Sequence, residues 1–239
     1  MRIRKSKERG HFANEWLDSY HSFSFADYYD PNHMGFQDLR VINEDIVEPD
    51  SGFPMHGHRD MEIITYVTQG AVAHKDSMGN TEQLSAGEVQ VMSAGKGVLH
   101  SEFNPLSDKK LKLLQIWIEP NRRGLAPGYQ QKPFATKEKE GQLKLIVSPD
   151  GAENSLIMNQ DAKLYASLLN NGQTLSYTIS KGRSGWIQMV SGQLEVNGTR
   201  LYEGDALAVS DGEGLLTLSS PSHCEFLLFD LVTRNKSAV

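Results

Sequence analysis

Two turn motifs occur twice in this 239-residue chain at the same separation, and that constrains its fold more than any other feature. Leu84-Ser-Ala-Gly87-Glu88 returns as Leu201-Tyr-Glu-Gly204-Asp205, and Ser93-Ala-Gly95-Lys-Gly97 returns as Ser210-Asp-Gly212-Glu-Gly214, both 117 positions on. Ile187-Gln-Met-Val-Ser-Gly192 likewise echoes the segment that ends at Gly70. Equal spacing across separate motifs marks a duplicated unit. The segments between turns are short and rich in β-branched and aromatic residues. Met61–Thr68, Glu88–Met92 and Leu111–Ile118 are examples, each followed by glycine or proline. Partial alternation at that length favours strands over helices, so the class is all-β, sandwich or barrel. Residues 119–141 interrupt the pattern with prolines, glycines and the charged run Lys137-Glu-Lys-Glu140. The break divides the chain into a first lobe over 1–130 and a second over 131–239, fused or independent.

Composition narrows the function classes. No apolar run approaches the roughly 20 residues of a membrane-spanning helix. The basic start, Met1–Lys7, lacks the apolar stretch of a secretion signal. A single cysteine, Cys224, leaves no internal disulfide and fits a reducing cytoplasm. The net charge of −6 argues against direct contact with nucleic acid.

The chemistry concentrates in His56-Gly57-His58 and His100-Ser101-Glu102. Residues two apart on a strand point the same way. Each pair therefore sets two ligand-grade side chains on one face, and two such strands meeting inside a β-lobe would surround one point with three imidazoles and a carboxylate. Nitrogen and oxygen donors without cysteine suit a divalent transition metal but do not select among Fe(II), Zn, Mn, Ni, Cu and Co; Fe(II) is taken as the expected ion. With three neutral imidazoles and one carboxylate such a centre carries about +1 and favours an anionic ligand such as an enolate. Glu62 shares the strand parity of His58, but four residues of regular strand place it roughly 13 Å away. It is read as an acceptor for a ligand histidine N–H, not as a ligand. His11, His21, His33, His74 and His223 show no comparable pattern. The aromatic residues around Tyr20–Phe36 pack a core strand, and Phe25, Phe36 and Phe53 are candidate walls of an apolar cavity over the metal.

Taken together, these residues resemble the pirin family of bicupins along nearly the whole chain. The resemblance is carried by Phe23-Ser-Phe25, Met34-Gly35-Phe36, Pro54-Met55-His56-Gly57-His58, His74-x-Asp76-Ser77, Ser93-Ala94-Gly95 and His100-Ser101-Glu102. The cupin signature is present as His56, His58 and Glu62, then Gly97, His100 and Asn104, without the usual proline before its second part. The resemblance implies two antiparallel jelly-roll-like β-barrels stacked face to face. It implies one metal, in the N-terminal barrel, on His56, His58, His100 and Glu102, with Glu102 the catalytic base. Some pirins open flavonols such as quercetin by 2,3-dioxygenation with release of carbon monoxide; others sense metal or redox state and act through a protein partner. The expected molecule is therefore a cytoplasmic, monomeric dioxygenase taking a flavonol-like molecule and dioxygen. The alternative is a metal-sensing binding protein. By the 117-residue offset, Thr217 and Ser219 stand where His100 and Glu102 do, leaving the second lobe without ligands.

Overall fold

The structure, a computed structural model, describes residues 1–234. Among the described residues, helix is limited to one turn at Thr136–Lys139 and two 3-10 turns, at Ser6–Glu8 and Ala152–Asn154; the rest is strand and connection. The all-β expectation holds.

The first lobe is a two-layer sandwich. Its larger layer is a seven-stranded antiparallel sheet, in the order Gly128–Pro133, Glu88–Ser93, Glu62–Gln69, Leu111–Ile118, Leu39–Val47, Leu17–His21 and Gly10–Ala13. Its smaller layer holds Gly52–His58, Val98–Phe103, Ala71–Asp76 and Thr81–Ser85. Val67, Leu111 and Leu113 of the large sheet pack against Val72 and Leu84 of the small one. The outermost strands of the large sheet pair with neither each other nor the small sheet. The two layers thus meet through side chains, and the expected barrels are corrected to open sheets. The second lobe is built on one ten-stranded sheet in which the fourteen-residue strand Arg183–Val196 serves two sets of partners. Its first half pairs with Ala206–Val209 and Cys224–Val232, its second with Thr199–Tyr202 and Gly214–Ser219.

The lobes exchange chain at both ends of the first one. Arg2–Arg4 pairs with Ala206–Val209 in the second lobe's sheet. Gly128–Pro133, which straddles position 130, forms an edge of the first lobe's large sheet. Between the lobes the two large sheets share one apolar cluster, with Ile64, Leu114 and Ile116 on one side and Leu164, Trp186 and Phe229 on the other. The strand Glu62–Gln69 consequently buries both faces. Ile64 and Tyr66 meet the second lobe, while Ile63 and Val67 point into the first. Strands covered on both faces carry continuous apolar runs, and that is why the sequence alternates only in part.

The duplication is visible in the backbone, at a corrected offset. Gly70 and Gly192 have φ of +73° and +72°. A Cβ would lie 2.8 Å from the Lys110 carbonyl oxygen at the first and 2.0 Å from that of His223 at the second, so only glycine fits either. From these anchors the pairing can be followed into the ligand strands. Glu102 lies opposite His74, whereas Leu218 lies opposite Val196; His100 lies opposite His56, whereas Leu216 lies opposite Tyr177. Leu216 and Leu218, not Thr217 and Ser219, are the counterparts. Between Ser93 and His100 the first lobe carries one residue more, and a one-residue slip turns every side chain to the other face. Thr217 is exposed. Leu216, Leu218, Ile179 and Val196 fill the second lobe's own core.

Candidate metal centre

The strand Gly52–His58 is the edge of the small sheet, where Pro54 costs no ladder hydrogen bond. Opposite it, the register slips between His100 and Glu102: His100 faces His56, but Glu102 faces Phe53. This β-bulge places one extra residue on the edge strand and re-aims the side chains around it. Gly52 permits the close approach, since a Cβ there would sit 2.2 Å from the Glu102 carbonyl oxygen.

His56, His58 and His100 converge, with one nitrogen from each lying within 4.8 Å of the others. Their ring centroids are 4.4–4.8 Å apart. Glu102 does not join that triad. It clusters with His100 and His74, again within 4.8 Å, and shares a cavity wall with His56 and His58. Gln115 Nε2 donates to its Oε2 at 2.7 Å and the Thr65 hydroxyl lies 3.2 Å from its Oε1. His56 is oriented by its Nδ1, 2.8 Å from the Pro54 carbonyl. Both ring nitrogens of His100 are buried without a partner among the described residues. Orphaned, buried nitrogen on a ligand-type side chain is what a metal would satisfy, so the residues present fit a divalent ion.

Protonation states agree with that fit. Burial, helped by neighbouring His56, depresses His58 to about 4, and burial drives His100 lower still. His58 and His100 are therefore neutral and able to ligate at neutral pH. Burial lifts Glu102 to about 7; the hydrogen bonds from Thr65 and Gln115 oppose the rise and the charge of Asp45 adds to it.

The cavity in front of these groups encloses about 560 Å³ between the two layers, a size suited to a small organic molecule. Phe25 and Phe53 line it, and Trp117 stacks edge-on against His58 at 4.8 Å and Phe25 at 5.4 Å. Phe36 does not line it. It packs on Trp186 at 5.5 Å in the core between the lobes, because its turn, paired at Leu39, starts the strand that faces the second lobe. Glu62 is also corrected. Its carboxylate accepts from Ser93 Oγ at 2.7 Å and from the Asn159 backbone N–H at 3.1 Å, so it clasps the second lobe and accepts from no histidine. The odd positions of its strand look into the cavity lobe, whereas Glu62 has the other parity.

Sequence reasoning missed the cavity's polar wall. Ser19, His21, Asn43, Asp45 and Gln115 line it from three adjacent strands of the large sheet. His21 Nδ1 pairs with Asn43 Oδ1 at 2.9 Å, and the Ser19 hydroxyl donates to Asp45. Burial raises Asp45 to about 7 against that Ser19 bond. Asn43 and Asp45 alternate within Leu39–Val47 and Gln115 interrupts Leu111–Ile118, but nothing local to these segments brings them together with Ser19 and His21. His74-x-Asp76 was missed too, although it repeats the two-residue spacing of the expected ligand pairs.

The comparisons agree with this architecture. The pirin family model matches residues 2–118, and the model of the quercetinase C-terminal cupin domain matches 145–231. The quercetin 2,3-dioxygenase of Escherichia coli strain K12 is 48% identical over 229 residues, covering 96% of this chain and 97% of that protein. A pirin-like protein of Caulobacter vibrioides is 43% identical over 90% of this chain and 92% of its own. The crystal structure of the bacterial pirin YhhW from Escherichia coli in complex with nickel(II) superposes with a TM-score of 0.93 at 47% identity, covering 98% of this chain and 99% of that one. Among the described residues no helix is long and apolar enough to cross a membrane. By both domain matches and near-full-length identity, the chain belongs to the pirin family.

Proposed function

We propose that this protein is a metal-dependent dioxygenase that opens flavonols in the manner of a quercetin 2,3-dioxygenase, releasing carbon monoxide. The observation that carries the proposal is the cavity of about 560 Å³, which sets three converging imidazoles and a buried carboxyl at the end of an aromatic slot. The relative named quercetin 2,3-dioxygenase at 48% identity supports the substrate class. His56, His58 and His100, with Glu102, would hold one divalent ion, Fe(II) in this proposal; the nickel(II) of YhhW makes nickel the first alternative. When bound, the ion supplies positive charge for an enolate oxygen and a redox partner for dioxygen.

The chain's own residues do the rest. Glu102, whose carboxyl titrates near neutrality when no ion is held, takes the proton of the flavonol 3-hydroxyl, and Gln115 and Thr65 fix the carboxylate for that step. Phe25, Phe53 and Trp117 hold the flat rings and exclude water. The Ser19–Asp45 and His21–Asn43 pairs offer hydrogen bonds to the remaining phenolic groups. A metal-sensing protein that acts only through a surface would leave this cavity without a task. The deciding measurement is oxygen uptake and carbon monoxide release with a flavonol panel, on protein loaded in turn with iron, nickel, manganese, copper and cobalt. Absence of turnover with all five rejects the assignment.

The placement of the phenylalanines gives a separate expectation. Phe53→Ala removes an apolar wall worth about 1.5–3 kcal/mol of burial and is expected to weaken flavonol binding tenfold or more. Phe36→Ala is expected to lower thermal stability by about 2 kcal/mol and leave flavonol affinity unchanged. Titration of flavonol absorbance under nitrogen, beside thermal melts, checks both.

A further inference from the structure

Three buried nitrogens without a partner among the described residues crowd one place: Nδ1 of His74 and both ring nitrogens of His100. A buried polar atom left without a partner is costly, so the clustering of three calls for a common explanation. The two residues sit on neighbouring strands, where Glu102 faces His74 and His100 faces Asp76. Their rings are 5.4 Å apart and their ligand-type atoms fall within 4.8 Å. His74 is 1% exposed, and its Nε2 lies 3.2 Å from Asp76 Oδ2. Asp76 is itself fixed, accepting from the backbone N–H of Met78 at 2.9 Å and of Asn80 at 3.1 Å, and from the Asn80 side-chain amide at 2.7 Å.

The tautomers follow from this arrangement. An ionised carboxylate only accepts, so the His74 proton sits on Nε2 and its Nδ1 carries a lone pair. His100 needs one lone pair directed at the His56–His58 cluster, which puts its proton on the other nitrogen, and that N–H lacks an acceptor. His56 meets the same requirement with the Pro54 carbonyl; His100 has no such carbonyl. In the second lobe the counterparts of His74 and His100 are Val196 and Leu216, so the pair is replaced together by hydrocarbon.

We propose that Asp76 and His74 are positioning residues for His100: Asp76 holds His74 with Nδ1 unprotonated, and that nitrogen accepts the His100 N–H and so aims the opposite nitrogen at the ion. The proposal rests on the metal reading of the cluster. A hydrogen bond from His100 to His74 Nδ1 satisfies two of the three orphaned atoms, and the ion takes the third.

The test compares the parent with His74→Leu and His74→Gln, using cobalt(II) and nickel(II) as probes. Affinity is read by chelator competition and geometry by the cobalt absorption spectrum. His74→Leu is expected to weaken binding roughly 10–100-fold and alter the spectrum, whereas His74→Gln, whose amide oxygen can accept the same N–H, recovers most of both. Equal affinity and spectrum in parent and His74→Leu, or a glutamine variant no better than leucine, overturns the relay. Nitrogen-15 NMR of the zinc-loaded parent is independent of any variant's folding: His74 should be the Nε2–H tautomer, and an Nδ1–H tautomer overturns the proposal. A parent that takes up no ion overturns the metal reading and the relay with it, an outcome distinct from a parent that binds normally beside an unaffected leucine variant.

Discussion

Glu102→Gln is expected to lower flavonol turnover by roughly 10²–10⁴-fold, the usual span for loss of a general base, while flavonol binding falls by less than about tenfold. The substitution is chosen because the surroundings tolerate it. The glutamine amide oxygen can accept from Gln115 Nε2, and its amide N–H can donate to Thr65 Oγ1, so neither of the two bonds recorded for Glu102 is lost. The change is thus confined to the ability to take a proton and to the negative charge. Because Glu102 is also placed next to the ion, metal content must be measured on the same sample. A variant that keeps its metal but loses turnover supports the role of base. One that keeps both metal and turnover within tenfold moves proton transfer to another group, and the nearest buried carboxyl on the cavity wall is Asp45.

What could be read from the sequence depended on whether a side chain's role was local. The convergence of His56, His58 and His100 could be read because the direction of side chains at two-residue spacing is written within one strand. The duplication could be read from turn glycines, because a left-handed backbone leaves few other residues eligible. Positions that depend on pairing between strands could not. The connection after Ser210 is one residue shorter than the one after Ser93, which moved the counterparts of His100 and Glu102 from Thr217 and Ser219 to Leu216 and Leu218. Phe36 and Glu62 failed for a related reason. Their strands have two buried faces, one toward the cavity lobe and one toward the second lobe, and hydrophobicity does not say which is which. His21, Asn43 and Asp45 were invisible as a group because they come together only when Leu17–His21 lies beside Leu39–Val47.

That buried wall leads to a second large effect: Asp45→Asn is expected to stabilise the metal-free protein by about 3 kcal/mol more at pH 8 than at pH 5. Asp45 is 3% exposed, and burial raises its carboxyl to about 7, with one Ser19 hydroxyl opposing the rise and Glu44 adding to it. In the unfolded chain an aspartate titrates near 4. Between those values the unfolded chain has released its proton and the folded one has not. The folded state therefore binds more protons, and stability falls as pH rises from about 4 through about 7. Asparagine, which can still accept from Ser19, carries no such penalty. His58 and His100 act in the opposite sense, since their lowered values give stability that is present above about 6.5 and lost as the solution is acidified. They are common to parent and variant and cancel in the difference to first order, which is why the comparison and not the parent's own profile is informative. Glu102 responds to the charge of Asp45 and adds to the effect with the same sign. Denaturant unfolding of both proteins after chelator treatment, at pH 5 and pH 8, reads the result. Parallel stability curves would show that Asp45 is already ionised in the folded protein, and would remove the neutral carboxyl from the cavity wall as a hydrogen-bond donor to a bound phenol.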